Sequence, residues 1–184
     1  MMRWVPELLT PRLRLRPWRD DDLDPLAEMY ADSEVMRYIG DGSVRTRDET
    51  AAGLARMRAE WEERGHGMFA VELRETGELT GWTGTTVPAF LPEVLPAVEI
   101  GWRLARRFWG RGLATEAARA ALGHAFDIVG LERILSICNV GNAASEAVMR
   151  KLGMRLDRET EVPSHGARVR VYAITREDHA SRRD

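Results

Sequence analysis

Two glycines spaced two apart, Gly110 and Gly112, lie where an apolar alternating segment gives way to an amphipathic one. Glycine lets the backbone turn tightly and brings its amide groups close to a ligand. A helix that begins near Leu113 would leave its first amides free, and these carry a partial positive charge. The arginines that crowd the same turn are Arg103, Arg106, Arg107 and Arg111. Free amides and guanidinium groups together are typical of a site for a phosphate or another anion.

The turn alone does not identify its ligand. A nucleoside triphosphate site would need Gly-x-x-x-x-Gly-Lys-Ser/Thr, and neither that lysine nor that second glycine is present. A dinucleotide site would need Gly-x-Gly-x-x-Gly/Ala, which residues 110–115 nearly supply before ending on Thr115. That fingerprint belongs to the first strand of a doubly wound sheet, whereas only one further parallel strand is expected here. A glycine turn with a purely structural role also stays open.

Hydrophobic periodicity and turn residues indicate the elements that position this turn. We predict strands over 13–16, 68–73, 79–87, 98–104, 133–138, 154–162 and 168–175, and helices over 20–30, 50–64, 113–128 and 143–152. Residues 88–96 contain three prolines and no regular period, so we predict an exposed loop there. The order β-αα-βββ-α-β-α-ββ predicts an α/β fold with a mixed central sheet and helices packed on it.

Length and composition restrict the class of protein. The 184 residues are 44% apolar and 30% charged, as expected for one globular domain over residues 1–184. No membrane span or signal peptide is evident, so we expect a cytoplasmic location. The single cysteine, Cys138, is expected to be buried and inert, and four scattered histidines predict no metal site. Acidic residues prevail before residue 105 and basic ones after it, which suits an anionic cofactor and a cationic substrate.

Several segments also carry a family resemblance. Arg107-x-x-Gly110-x-Gly112 resembles the Gln/Arg-x-x-Gly-x-Gly/Ala signature of the GNAT family of N-acetyltransferases. Residues 113–117 continue as in the RimJ/RimL-like subgroup, which acetylates the N-termini of ribosomal proteins. Residues 142–145 with 151–154 resemble that subgroup's second signature, and 10–16 resemble its first strand. The resemblance spans nearly the whole chain and implies a GNAT-type mixed sheet.

The resemblance implies that acetyl-CoA is the co-substrate and that it binds where two strands splay apart, with its pantetheine arm paired to a free strand edge. The edge would be residues 102–104, and the pyrophosphate would lie on the turn. Asn142 and Ser145 would face the coenzyme from the opposite wall, although both could also be ordinary helix caps. The coenzyme-binding residues implied in this way are Trp102, Arg103, Leu104, Arg107, Gly110, Arg111, Gly112, Ala114, Asn142 and Ser145.

Acyl transfer to nitrogen also needs a base, because a protonated amine is no nucleophile. An alkyl ammonium of pKa ~10.4 is neutral only about once in 10³ molecules at pH 7. A carboxylate that removes its proton, directly or through water, would help. Glu99 is a lone acid in the predicted strand 98–104, where many similar enzymes carry a glutamate. Alternation places Glu99 on the same face as Gly101 and Arg103, so a salt bridge to an arginine is the competing interpretation.

A second catalytic role concerns the departing coenzyme thiolate. Many similar enzymes place a tyrosine on the helix after the fifth predicted strand to protonate it, and Met149 stands at that position here. Ser145 or water would take the role instead. We expect direct attack without a covalent enzyme intermediate, because Cys138 falls in a core strand.

The function that follows is transfer of an acetyl group from acetyl-CoA to a primary amine, which could be a protein N-terminus, a polyamine or a small amine. A non-catalytic acyl-CoA-binding or regulatory domain is the first alternative, and a dinucleotide-binding oxidoreductase is the second. The partners expected are acetyl-CoA and the amine, with a homodimer left open. Neither nucleic acid nor a membrane is expected as a partner.

Overall fold

The alternating apolar segments form the strands of one sheet in the computed structural model, which describes residues 5–182. The sheet has eight strands in the order β1-β2-β3-β4-β5-β6-β8-β7 within the described residues. The strands are β1 (Leu8–Leu9), β2 (Leu13–Arg16), β3 (Met68–Leu73), β4 (Leu79–Thr86), β5 (Glu99–Leu104), β6 (Arg133–Asn139), β7 (Arg155–Glu161) and β8 (Arg168–Thr175).

Six α-helices accompany the sheet in the described part of the chain. They are α1 (Leu23–Ala31), α2 (Ser33–Met36), α3 (Arg47–Arg64), α4 (Leu113–Asp127), α5 (Ala143–Lys151) and α6 (Arg176–Ala180). The sequence did not predict α2, α6 or β1, because each is too short to show a period. Residues 20–22 form a 3-10 turn, so the first α-helix begins three residues later than predicted.

The start of α3 corrects another predicted boundary. We predicted this helix from Thr50, but it begins at Arg47, with Thr46 as its N-cap. The main-chain amide of Glu49 donates to the Thr46 hydroxyl at 3.2 Å, and the Thr46 amide donates to the Glu49 carboxylate at 2.8 Å. This reciprocal capping box is a sequence-level signal for a helix start, and the prediction overlooked it.

The mixed sheet predicted from the element order is confirmed. Every described strand pair is antiparallel except that of β5 with β6. These two strands run parallel, and α4 connects them along the chain. A doubly wound dinucleotide-binding sheet would contain several parallel pairs. The topology of the described strands is therefore not that of the oxidoreductase alternative.

Helices cover both faces of the sheet. His124 of α4 packs edge-on against Phe69, with ring centroids 5.6 Å apart. Tyr30 of α1 accepts a hydrogen bond from the indole of Trp82 at 2.8 Å. Trp82 is paired with Ala70, the neighbour of Phe69, so these two aromatic side chains point to opposite faces. Consequently α4 and α1 lie on opposite sides of β3 and β4.

A buried ion cluster fixes the chain that leads into α1. The Arg16 guanidinium donates to both carboxylate oxygens of Asp22, at 2.8 and 2.7 Å, and to Glu72 at 2.7 Å. All three side chains are almost completely buried. Removing one member of such a cluster would leave an uncompensated buried charge, so the cluster ties α1 firmly to β2 and β3.

The loop over residues 88–96 is only partly exposed, which corrects the prediction. Leu91 is fully buried and packs with Leu135, Val162, Val169 and Val171 in a second, smaller core. The prolines exclude regular structure, but they do not prevent one apolar side chain from anchoring the loop. The anchored loop covers the β6, β8 and β7 end of the sheet, on the face that Leu135 shares with Glu99.

Candidate active site

A gap opens between β5 and β6, the two parallel strands. Their pairing is limited to Glu99 opposite Leu135, and beyond that point the strands diverge. On its other side β5 is fully paired with β4, from Thr86–Glu99 to Gly81–Leu104. The sheet is therefore split along one edge of β5.

The main chain of β5 keeps free hydrogen-bonding groups along this gap. The carbonyl of Val98 accepts from the amide of Leu135 at 2.9 Å on the β6 side. Main-chain groups of alternate residues point to the same side of a strand, so those of Trp102, beyond the single rung at Leu135, also point toward β6. Because β6 has diverged there, they face the gap, and an extended ligand can pair with them as an added strand.

The glycine turn forms as the sequence predicted. Gly110 and Gly112 have φ values of 73° and 75°, a left-handed conformation that favours glycine. A Cβ at Gly110 would meet nothing within 4 Å, and one at Gly112 would meet only the Arg12 guanidinium at 3.6 Å. The glycines are therefore needed for the turn of the backbone and not for lack of space. The exposed Trp109 closes the turn by donating its indole N–H to the Leu104 carbonyl at 2.8 Å.

The start of α4 offers free amides to this gap. Gly112 is its N-cap and supplies no side-chain cap, and the first amide with a partner inside the helix is that of Glu116. The amides of Leu113, Ala114 and Thr115 precede that bond and have no partner within the helix. These three residues line the same cavity as the β5 edge. A helix start with free amides attracts an anion.

The two arginines predicted for the turn lie elsewhere. Arg107 forms a two-nitrogen ion pair with Glu78, at 3.0 and 2.7 Å, on the β4 side. The guanidinium of Arg111 lies 5.9 Å from the centre of the Phe108 ring. Neither side chain lines the cavity, so Arg107 and Arg111 could contribute to coenzyme binding only through their main chain.

The start of α5 forms the opposite wall. The Asn142 side-chain oxygen accepts from the Ser145 amide at 3.2 Å, so Asn142 is a helix cap, one of the two roles considered for it. Its side-chain NH2 group is not used in this bond. Ser145 is half-buried, and within residues 5–182 its hydroxyl makes no hydrogen bond to protein. That hydroxyl is available to a ligand.

One cavity of about 450 Å³ collects most of the predicted coenzyme-binding residues. Those that line it are Trp102, Arg103, Leu104, Gly110, Gly112, Ala114, Asn142 and Ser145. Nothing in the sequence indicated that Glu34–Ile39, the segment of α2 and its following turn, would form a further wall. A four-residue helix has no readable period, and no residue motif could have revealed this wall.

Glu99 lies at the closed end of the gap. Its side chain is buried and accepts a hydrogen bond from the Ile137 amide at 3.3 Å, where the next rung of the β5–β6 pairing would lie. Among the described residues no cation is within 4.0 Å of its carboxylate, so the salt bridge to Arg103 does not form. Burial raises the pKa of Glu99 to about 8, and the Ile137 amide lowers it only in part. The carboxyl group is not part of the cavity wall.

Arg103 reaches the cavity from the α1 side of the sheet. Its guanidinium carbon lies 5.1 Å from the centre of the Tyr30 ring and 5.0 Å from that of Trp82. Its Nη1 contacts the sulfur of Met36 at 3.8 Å, and its Nε is buried without a hydrogen-bond partner among the described residues. Burial lowers the pKa of Arg103 and the nearby Arg45 also lowers it, whereas the Tyr30 hydroxyl raises it in part. Arg103 thus holds a buried charge that no described carboxylate balances.

Other chemistry finds little support in the described residues. Cys138 is buried, and burial raises the pKa of its thiol to about 11, so the nucleophilic thiolate is scarce. Within residues 5–182 no group of three or more His, Cys, Asp or Glu side chains is arranged to hold a metal ion. The same residues contain no helix that is both long and apolar enough to cross a membrane.

Comparisons with known proteins agree with this geometry. The model of the acetyltransferase (GNAT) domain family matches residues 12–155. An acetyltransferase structure from Agrobacterium tumefaciens is 30% identical, with a TM-score of 0.78 over 93% of this chain and 95% of that one. The FsC-acetyl coenzyme A-N(2)-transacetylase of Aspergillus fumigatus is 30% identical over 94% of this chain and 77% of its own length.

A fourth likeness concerns the fold alone. RimL, a ribosomal L7/L12 alpha-N-protein acetyltransferase solved with coenzyme A, is 19% identical, with a TM-score of 0.74 over 91% of this chain and 96% of that one. The split sheet, the glycine turn and the family match over most of the chain lead to the same conclusion. This protein belongs to the GNAT family of acetyltransferases.

Proposed function

We propose that the protein transfers the acetyl group of acetyl-CoA to a primary amine by direct attack of the amine. One observation carries the proposal: the free edge of β5 runs into the uncapped start of α4 within a single cavity. An extended amide chain that ends in phosphates needs such a combination. The edge can pair with the amides of the chain, and the helix start can hold the phosphates.

The donor side follows from the residues that line this cavity. The amides of Leu113, Ala114 and Thr115 would hold the pyrophosphate, and Lys151 in the same wall adds a positive charge. The main chain of Trp102 would pair with the pantetheine arm. When bound, acetyl-CoA supplies an activated thioester at the far end of this arm. The cavity residues then have to orient the thioester and keep bulk water away from it.

On the acceptor side we assign the base to Glu99. With a pKa near 8, Glu99 is a stronger base than an ordinary glutamate, and about one molecule in ten holds the ionised form at pH 7. The carboxyl group lies behind the cavity wall, so the amine proton would reach it through a water molecule. This route makes proton removal dependent on pH between about 7 and 9.

Ser145 is the proposed partner of the departing thiolate, because its hydroxyl is free and lines the cavity. Cys138 takes no covalent role in this proposal, since its thiol is buried and its pKa is raised. Direct attack then needs one group that takes a proton and one that gives a proton. Glu99 and Ser145 supply these on two different walls.

The acceptor is proposed as a class. The name of the Aspergillus relative assigns acetylation at a nitrogen, N(2), to that protein, and its 30% identity supports nitrogen as the acceptor here. A protein N-terminus, a polyamine and a small amine remain the acceptors that we propose to compare.

A turnover screen tests the proposal. The purified protein is incubated with acetyl-CoA and a panel of polyamines, amino acids and short peptides, and released coenzyme thiol and acetylated product are both measured. We expect at least one primary amine to be acetylated, with loss of turnover in Glu99→Gln. Binding of acetyl-CoA without turnover of any amine would favour the non-catalytic alternative. Binding of NAD(P) in preference to acetyl-CoA would favour the dinucleotide alternative.

A further inference from the structure

Two guanidinium groups meet at one aromatic ring, and among the described residues neither forms an ion pair, although the Glu49 carboxylate acts on Arg45 from beyond 4.0 Å. Arg103 lies 5.1 Å and Arg45 5.9 Å from the centre of the Tyr30 ring. The ion pairs among the described residues include neither arginine, so no described carboxylate is within 4.0 Å of either. The two charges also repel each other, and that repulsion is one reason for the lowered pKa of Arg103.

Burial makes this arrangement costly for Arg103. The Nε atom is buried and has no hydrogen-bond partner among residues 5–182, and Nη1 contacts a thioether sulfur, although the guanidinium also has the Tyr30 hydroxyl as a hydrogen-bond partner. A buried charge without a counter-ion costs several kcal/mol in general, because the protein replaces little of the lost hydration. Contacts with the faces of Tyr30 and Trp82 recover part of this cost. A bound anion would recover much more, since guanidinium–carboxylate pairs are strong and directional.

The position of Arg103 separates this anion from the coenzyme phosphates. Arg103 is paired with Trp82 and points to the α1 face of the sheet, whereas α4 packs on the opposite face. The phosphates would lie at the start of α4, and the pantetheine arm beside β5 is uncharged. Because Arg103 also lines the cavity, an anion bound there would enter on the side away from α4. The coenzyme does not supply this anion.

Glu99 shares the α1 face with Arg103. The two residues are four positions apart on β5, and therefore about 13 Å apart along the strand. An amine that approaches the Glu99 end of this face can extend its remaining atoms toward Arg103. Arg103 thus lies where it can hold the far end of an acceptor whose nitrogen is being acetylated.

We propose that Arg103, supported by Arg45, binds a carboxylate of the acceptor, so that the preferred substrate is a primary amine carrying a carboxylate several bonds from its nitrogen. This inference rests on the proposed function and narrows its acceptor class. Arg103 acts as a specificity-determining residue, and Glu99 remains the base. The acceptor then has two fixed ends: an uncharged nitrogen near the thioester and a negative charge between the two arginines.

A matched series of acceptors tests the proposal. Each ω-amino acid from 3-aminopropanoate to 6-aminohexanoate is compared with its own primary amide, which keeps the amine and the chain but loses the charge. We expect kcat/KM to favour the acid by about 10- to 100-fold at the best chain length, as for a hydrogen-bonded charge pair. Equal values for acid and amide at every length in the native enzyme would overturn the proposal.

Variants locate the effect at Arg103. Arg103→Met keeps a long apolar side chain against Tyr30 and Trp82 and should bring the acid-to-amide ratio close to one, with the KM for acetyl-CoA little changed. Arg103→Lys should keep part of the preference. Arg56→Met removes an exposed cation of α3 that does not line the cavity and is the control, for which the ratio should stay at the native value. A native ratio in folded Arg103→Met, or a fall in acetyl-CoA affinity alone, would overturn the assignment.

Binding of the reaction products tests the role of Arg103 independently of whether the protein acetylates an amine. Calorimetry measures the N-acetylated acid and the N-acetylated amide with the native protein and with Arg103→Met, each in the presence of CoA. We expect the acid to bind at least about tenfold more tightly than the amide in the native protein only. A protein that binds acetyl-CoA but acetylates no amine would contradict the proposed function, while this binding difference would still decide the role of Arg103. Binding of neither product, or of both equally, would overturn it.

Discussion

Replacement of Glu99 by glutamine changes one buried charge and little else. Glutamine has nearly the same shape, and its side-chain oxygen can still accept the hydrogen bond from the Ile137 amide, now 3.3 Å from the carboxylate. The native carboxyl group has a pKa of about 8 because burial disfavours its charged form, compared with 4.5 in an exposed glutamate. The variant therefore removes a carboxyl group whose pKa differs between the folded and the unfolded chain.

The sign of the stability effect follows from proton binding. Between about pH 4.5 and 8 the unfolded chain has released the Glu99 proton, whereas the folded chain still holds it. The free energy of unfolding of the native protein therefore falls as the pH rises through this range. The full shift corresponds to roughly 5 kcal/mol at most. The buried NH2 group of the introduced glutamine adds a constant cost of about 1–3 kcal/mol, so the change with pH is the informative quantity.

Thermal melting of both proteins from pH 5 to pH 9 measures that change. Relative to the native protein, Glu99→Gln should gain up to about 4 kcal/mol across the series, or ~10 °C in Tm for a chain of this size. Glu161→Gln removes an exposed glutamate of β7 and is the control, whose profile should follow the native one. A difference between native and Glu99→Gln that stays constant over the whole pH range would refute the raised pKa.

Kinetics of the same variant address its chemical role. If Glu99 removes the amine proton, kcat should fall on the order of 10²–10⁴-fold with little change in the KM for acetyl-CoA. The native kcat/KM should rise through about pH 8, and high pH should restore part of the variant's activity because the amine then deprotonates unaided. A folded and fully active Glu99→Gln enzyme would exclude this base and direct the search to Glu93 and the acids of the first helices.

Three further variants probe the frame and the cavity. Asp22→Ala leaves the buried Arg16 guanidinium without its main partner, so chemical denaturation should show that the free energy of unfolding falls by about 3–5 kcal/mol. A fall below about 1 kcal/mol would contradict the role given to this cluster. Gly112→Val places a branched residue at a φ of 75°, so the start of α4 should distort and the Kd for acetyl-CoA, measured by calorimetry, should rise at least about tenfold. Unchanged affinity in a folded variant would rule out the phosphate assignment. Ser145→Ala removes a free hydroxyl but leaves the Asn142 cap on the main-chain amide of residue 145. Steady-state kinetics should therefore show kcat reduced about 10- to 100-fold at constant Tm. An unaltered kcat would assign protonation of the thiolate to water.

Local signals were enough to predict the turn and its supporting elements. Alternation over 98–104, two glycines and an amphipathic segment after them produce β5, the left-handed turn and α4. The parallel pairing of β5 with β6 follows from the helix that connects them. Each of these features depends on residues close together in the chain, which a single sequence displays directly.

Contacts between distant residues could not be predicted in the same way. Arg107 pairs with Glu78 and not with the cavity, and Glu78 lies 29 positions earlier in the chain, directly before β4. The burial of Glu99 depends on its neighbours in β4 and β6, which are distant in the sequence. The charge of Arg103 could have been balanced by many acids, and only the folded chain shows that no described carboxylate approaches it. Such facts depend on tertiary packing and not on spacing.

Ligand binding tests the central claim most directly, because the free β5 edge and the start of α4 are assigned to acetyl-CoA. The melting temperature of the native protein is measured against increasing acetyl-CoA, ATP and NAD under the same conditions. A ligand that binds only the folded state raises stability by about 2.7 kcal/mol at 100 times its Kd, which corresponds to several degrees here. We expect a dose-dependent rise with acetyl-CoA and none with ATP or NAD. Equal rises with all three ligands would reduce the cavity to a general anion site, and no rise with acetyl-CoA would contradict the assignment.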